Sequence, residues 1–275
     1  MNDFHFFARP PAPALAPFIV CYWGVRGSLG VLDYHMESVL PSGSVELMLN
    51  FGARQRVRAY GERSADDVFE TAWVAGLQDQ PLVHCSDGFS EHLSVRFHPR
   101  GAHAFLDLPL DELTNRVVSL EDLLGEAAVA LRDRLAPLDD DARCRALESW
   151  LLERRRSVHP YFATVRRASD LLRSGVHGLG VTEVCDRLGL SNRHLIHQFR
   201  LTVGLTPKTF SRVQRFQAVI DDCKGRDDPP WSRLAARHGY ADQSHLIREF
   251  RRFAHLTPGE FLERRTPDHG NVMAD

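Results

Sequence analysis

The 275-residue sequence predicts an α+β protein in two parts. Residues 1–136 read as a β-rich domain, 137–159 as a helical linker, 160–264 as an all-helical domain, and 265–275 as a flexible tail. Three observations carry this. Short runs of β-branched and aromatic residues, broken by turn formers, fill the first hundred residues or so. From Ser119 the apolar period changes from two to that of a helix. A phrase then occurs twice, as GLSNRHLIHQF at 189–199 and GYADQSHLIREF at 239–250.

The strand candidates are FIVCYWGV (18–25), VELMLNF (45–51), QRVRAY (55–60), DVFETAWVAG (67–76) and FSEHLSVRFHP (89–99). The last alternates most clearly. Phe89, Leu93, Val95 and Phe97 fall on one face, and His92, Ser94, Arg96 and His98 on the other. Regularly spaced short strands suggest a sandwich or a barrel. The helical region opens with Ser119 and Asp122 ahead of LEDLLGEAAVALRDRLA, and Pro137 ends that stretch. Asp139 to Asp141 can cap the next helix, which runs to about Arg156. There Cys144, Leu147, Trp150 and Leu151 form an apolar stripe, with Arg143, Arg145 and Arg154 away from it. Such a stripe can serve a homodimer or pack on the chain's own barrel.

Charge follows the same division. Residues 160–275 hold 18 Lys and Arg against 13 Asp and Glu; residues 1–159 hold 16 against 23. That asymmetry suggests a basic C-terminal module attached to an acidic N-terminal one. The five cysteines are scattered, with no CxxC pair. Asp3 and the prolines at 10, 11, 13 and 17 oppose a signal peptide. No run approaches the 18 or so apolar residues that a membrane span needs. The expectation is a soluble, cytoplasmic protein with no membrane partner.

An offset of 51 residues pairs Leu195 with Leu246, Phe199 with Phe250, Thr206 with Thr257, Pro207 with Pro258 and Phe210 with Phe261. This marks a duplicated supersecondary unit. Each copy reads as a helix-turn-helix. Gly189 or Gly239 makes the turn because glycine tolerates positive φ, and Ser191 or Asp242 caps the second helix. Leu195 with Phe199, and Leu246 with Phe250, anchor those second helices (about 191–200 and 242–251) to the core. Asn192, Arg193, Ile196 and His197 are left outward on one; Gln243, Ser244, Ile247 and Arg248 on the other. Amide, guanidinium and small apolar groups are the ones that read base edges and thymine methyls in a major groove. These eight are the candidate DNA-binding residues.

These motifs resemble the DNA-binding domain of the AraC/XylS family of bacterial transcription regulators. The family pattern is met by Gly239, Tyr240, Asp242, Ser244, Leu246, Arg248, Phe250, Thr257 and Pro258. His197 and Cys185 depart from it, standing where many relatives carry arginine and alanine. The resemblance implies a long helix joining the two units, here from Pro207 to about Cys223. Phe210, Val213, Phe216 and Ile220 would line its inner face, with Arg212 and Arg215 pointing out. It also implies double-stranded DNA as partner, recognition helices in adjacent major grooves, and RNA polymerase as a further partner if the protein is an activator. Residues 10–125 resemble the sensor domains of some family members through Pro41–Gly52 and Val95–Leu106. That implies a cupin-like β-barrel that senses a small-molecule effector or dimerises.

Enzymatic signatures are absent from the sequence. It holds no Gly-rich phosphate loop and no nucleophile elbow. His35, His84, His92, His98 and His103 raise a metal reading, but no HxH occurs and the spacings are irregular. The isolated Cys21 and Cys85 do not make the clustered site of a methyl-transfer sensor. The expectation is a non-enzyme without metal or cofactor. The alternative is a cupin-like enzyme or metal-binding protein with a helical scaffold domain.

Overall fold

The computed structural model describes residues 5–28, 36–59, 66–156, 160–173, 179–266 and 271–273. The N-terminal half is built on β1 (His5–Arg9), β2 (Ile19–Ser28), β3 (Met36–Val39), β4 (Glu46–Asn50), β5 (Gln55–Ala59), β6 (Asp67–Phe69), β7 (Ala72–Ala75), β8 (Leu82–Ser86), β9 (Phe89–Phe97) and β10 (Val117–Ser119). These form two antiparallel sheets, ordered β1-β2-β9-β4-β7-β10 and β11-β3-β8-β5-β6, where β11 is Val272–Met273. Among the described residues no ladder joins the two sheets into the closed cylinder that the expected barrel would need. The run expected as one strand over 67–76 is two strands. β6 pairs with β5 in one sheet and β7 with β4 in the other, so the chain changes sheets at Glu70 and Thr71.

The central strands of the larger sheet, β2, β9, β4 and β7, carry its buried face, while the edge strand β1 is largely exposed. Tyr22, Val95, Leu47 and Val74 are cross-strand neighbours on one face and nearly fully buried. Behind that face lie α1 (Leu120–Leu124), α2 (Glu126–Leu135) and α3 (Asp140–Arg154), packed on β7 and β9. The α3 stripe Cys144, Leu147 and Leu151 is buried in this layer. Helix α3 thus packs as a layer of the N-terminal half, with Trp150, the fourth residue of the expected stripe, half-buried. Arg143, expected away from it, is buried too. Its guanidinium donates to the Leu135 and Ala136 carbonyls at 3.1 and 2.9 Å and pairs with Glu91 at 2.7 Å. Burial alone would raise the Glu91 carboxyl, but hydrogen bonds from Arg143 and Arg26 outweigh it and hold the group below the usual range.

The C-terminal half comprises α4 (Phe162–Arg173), α5 (Val181–Leu188), α6 (Asn192–Val203), α7 (Pro207–Cys223), α8 (Trp231–Arg237), α9 (Gln243–Ala254) and α10 (Pro258–Arg264). It packs on the first half along a seam. Phe18 meets Phe162 with ring centroids 5.1 Å apart. A 3₁₀ turn at Leu110–Leu113 lies on α6. Beside the seam Arg100 is 5% exposed over the Phe162 ring, and burial pushes its pKa down to about 10. The tail expected to fray is instead ordered over 271–273, where β11 pairs with β3.

His98 lies beside this seam, and its pKa is lowered, first by burial and then by Arg100 and Arg173. A histidine whose folded pKa lies below its unfolded value supports folding fully above the unfolded value, near 6.5. That support is lost as pH falls through the depressed folded value. Acidification from neutrality is expected to lower the melting temperature, and His98→Gln to flatten that dependence. Identical pH slopes for variant and parent would contradict this.

Candidate nucleic-acid interface and internal cavity

The two helix-turn-helix units follow one plan. In the first, Gly189 turns the chain with φ +64° and Leu190 donates to the Cys185 carbonyl at 3.0 Å. In the second, Gly239 has φ +70° and Tyr240 donates to the Ala235 carbonyl at 2.9 Å. The second turn is one residue longer. Residues ahead of the turns thus correspond at an offset of 50, and those after at 51. Ser191 and Asp242 cap α6 and α9, accepting from the His194 and His245 amides at 3.2 and 2.6 Å. Both helices are 12 residues long and end in a left-handed residue, Gly204 at φ +98° and His255 at φ +56°. Only the first needs glycine for space as well: a Cβ there would meet the Leu110 carbonyl at 2.9 Å.

Leu195, Phe199, Leu246 and Phe250 are fully buried. Asn192, Arg193 and His197 on α6, and Gln243, Ser244 and Arg248 on α9, are exposed; Ile196 and Ile247 are half-buried at their margin. The structure thus puts the eight sequence candidates on two matching faces. Arg200 and Arg251, one turn further along the same faces, are exposed as well and were missed by the sequence reading. Their signal is the same 51-residue offset. Arg193, Arg200 and Arg248 have no ion-pair partner among the described residues, which leaves three guanidinium groups available to an external anion.

Helix α7 joins the units. Phe210, Val213, Phe216 and Ile220 are buried along it. Arg212 and Arg215, expected to point out, turn instead to the second unit. Arg212 forms a bidentate pair with the buried Glu249 of α9. Arg215 donates to the Gly239 carbonyl at 3.0 Å and lies over the Tyr240 ring at 5.0 Å. These contacts fix the second turn to the rod that carries the first unit.

The second feature lies between the two sheets. The face of β9 that reads as polar in sequence points inward, and Ser90, His92 and Arg96 line a cavity of about 540 Å³. Trp23, Met48 and Trp73 add apolar wall from the same sheet, and Val39, Val57 and Leu82 from the other. Glu46 accepts from Arg96 Nε at 2.8 Å and from Trp23 Nε1 at 3.1 Å. His84 is held between Glu37 at 3.2 Å and Gln55 at 2.8 Å. Part of the wall belongs to the other half of the chain: Gln214, Gln217 and Asp221 on one side of α7, Lys224 at its end, and Asn271. Gln217 donates to the Pro41 carbonyl.

Among the described residues only His84 and His92 of the five histidines share a site, the cavity wall. His92 lies edge-on to Trp23, His98 is at the seam, His103 is in a 3₁₀ turn, and His35 is outside the described residues. Among the described residues no three His, Cys, Asp or Glu side chains are arranged to hold a metal ion. Burial pushes the thiols of Cys144 and Cys223 up to about 11, which suits packing rather than reaction. No helix among the described residues is long and apolar enough to cross a membrane.

Residues 184–264 match a family described as a helix-turn-helix domain, and residues 8–119 a domain of unknown function, DUF6597. No curated protein matches the sequence. Among solved structures, ToxT from Vibrio cholerae superposes with a TM-score of 0.50 at 7% identity, covering 96% of this chain and 98% of that one. ToxT from Vibrio cholerae O395 gives 0.48 at 11% identity, over 95% and 96% of the two chains. The AraC-like transcriptional activator CuxR gives 0.28 at 16%, over 78% and 86%. The first of these is a likeness of fold, spanning a sheet-rich N-terminal domain and a helical C-terminal one. Two helix-turn-helix units on a shared rod, repeated at 51 residues within the matching helix-turn-helix segment, support a DNA-binding transcription regulator similar to those of the AraC/XylS family.

Proposed function

We propose that the protein reads duplex DNA with α6 and α9 in successive major grooves, about one helical turn apart. The observation that carries this is the repetition of one exposed face on both helices, with Asn192, Arg193 and His197 matched by Gln243, Ser244 and Arg248. Amide and guanidinium groups at the start of each helix reach base edges; Arg200 and Arg251, a turn or more along, reach phosphates. The protein is not an enzyme in this reading. The cavity takes a small-molecule effector, since its size and its mix of aromatic walls and a few polar groups suit a small ligand. A ligand touching α7 and both sheets would bind one relative placement of the halves better than others and so shift their populations. Any homodimer forms through a surface other than the α3 stripe, and RNA polymerase is the further partner if the protein activates. Location in the cytoplasm follows from the DNA partner.

The test is the affinity of the full chain for duplex DNA across a salt series. Log affinity should fall linearly with log salt, with a slope near −0.9 for each phosphate neutralised, roughly −4 or steeper for four or more such contacts. An affinity too weak to measure at low salt, or one independent of salt, would contradict the reading.

A further inference from the structure

The end of the chain returns from the DNA-binding half to the N-terminal half. After α10 the Thr266 amide donates to the Asn271 carbonyl at 2.9 Å, and Arg265 bridges Val272. Val272 and Met273 then pair with Ser38 and Glu37 along the edge of β3. Val272 is 2% exposed and belongs to the main core. The base of this return is tied to the end of α7, because Arg265 Nη1 donates to the Cys223 and Arg226 carbonyls, both at 2.8 Å. Its tip reaches the cavity. The Asn271 amide oxygen accepts from the Leu40 amide at 3.3 Å, and its nitrogen lies 3.4 Å from Glu37, the partner of His84 on the cavity wall.

The two helix-turn-helix units dock differently. The first meets the N-terminal half through apolar packing at Phe162 and the turn at Leu110–Leu113, with the Thr114 hydroxyl donating to the Gly204 carbonyl at 2.6 Å. On the second unit's side a surface ion pair joins Arg252 of α9 to Asp79 at 3.8 Å. A pair of that kind is worth about 0–1 kcal/mol and holds little by itself. The ordered strand is the stronger tie there, since it adds ladder hydrogen bonds and a buried side chain to a sheet of the other domain.

We infer that β11 is an intramolecular strap that latches α7 and the second helix-turn-helix unit against the N-terminal half beside the cavity, and that the latched form binds DNA more weakly than the released one. Release frees Arg252 from Asp79, beside the exposed Arg251, for a phosphate. It also lets an acidic domain, with 23 Asp and Glu against 16 Lys and Arg over residues 1–159, draw away from the polyanion. The second half of this inference rests on the DNA-binding reading above; the first does not.

The experiment compares the full chain with Val272→Asp, which places a charged side chain in a buried site, and with a chain ending after Thr266, which removes β11 and puts no side chain in its place. Hydrogen exchange is followed at the 41–44 loop, which follows β3 and meets α7 through the Gln217 contact to Pro41. Affinity for a random-sequence duplex pool is measured at two salt concentrations. Both variants should speed exchange at 41–44 several-fold, bind the pool several-fold more tightly, and steepen the salt slope by about one. Unchanged exchange at 41–44 in the truncated chain overturns the strap. Faster exchange with equal or weaker binding overturns the link to DNA. If the parent fails to bind the pool at all, the DNA-binding reading falls with that link, while the exchange measurement still decides the strap.

Discussion

Phe250→Ala is expected to destabilise the second helix-turn-helix unit strongly. Phe250 is fully buried at the centre of an aromatic cluster, with ring centroids 5.1 Å from Phe216, 5.8 Å from Trp231 and 5.7 Å from Phe261. Those partners come from α7, α8 and α10, so one side chain ties α9 to every other helix of its unit. Removing a buried phenyl group costs about 3–5 kcal/mol, from lost transfer energy and from the cavity left behind. In a chain of this size that lowers the melting temperature by roughly 10 °C. Thermal denaturation followed by circular dichroism checks it. A shift of only a degree or two would mean that α9 is held by something other than this cluster.

The second large effect is expected at the Arg212–Glu249 pair. Glu249 is 4% exposed, and Arg212 reaches it with two parallel N–H donors while lying over the Phe253 ring at 5.5 Å. Burial opposes the charged form of each group, and the pair stands because each satisfies the other. Glu249→Ala leaves a guanidinium in a site built for an ion pair. The cost is about 2–3 kcal/mol, below the fully buried case because the Arg212 side chain keeps 23% of its exposure. Arg212→Met with Glu249→Met removes both charges and should recover much of the loss. Urea denaturation of the two single variants and the double decides. Strictly additive losses would show that the two side chains do not act as a pair.

What the sequence made legible was what local chemistry determines. Caps, turn glycines and the 51-residue offset located both helix-turn-helix units, since Ser191, Asp242, Gly189 and Gly239 act within a few residues of themselves. The buried and exposed faces of α6 and α9 followed from helical period. The parts that depend on distant contact were not legible. Alternation in β9 separates two faces correctly, but no local signal says that the polar one faces a second sheet rather than solvent. Arg212 and Arg215 read as solvent-facing because their partners, Glu249 and the Gly239 carbonyl, lie over twenty residues away. The two-residue strand β11 has no periodicity to detect, and its partner is the far edge of the other domain. The α3 stripe showed that something covers it, not that the cover is its own sheet.

The central claim is that two helices read DNA as a bipartite pair, and the most direct test is affinity against a library of single-base operator variants at two salt concentrations. Arg193 lies two residues into α6, exposed and clear of the Leu195 and Phe199 anchor, so its guanidinium can address a guanine edge. Arg248 lies deeper along α9, within reach of the backbone. Arg193→Ala should cost roughly 1–3 kcal/mol and relax preference at one base position, while Arg248→Ala should weaken all sequences alike and flatten the salt slope by about one. If Arg193→Ala leaves every base preference unchanged, the first helix does not read sequence and the bipartite account fails.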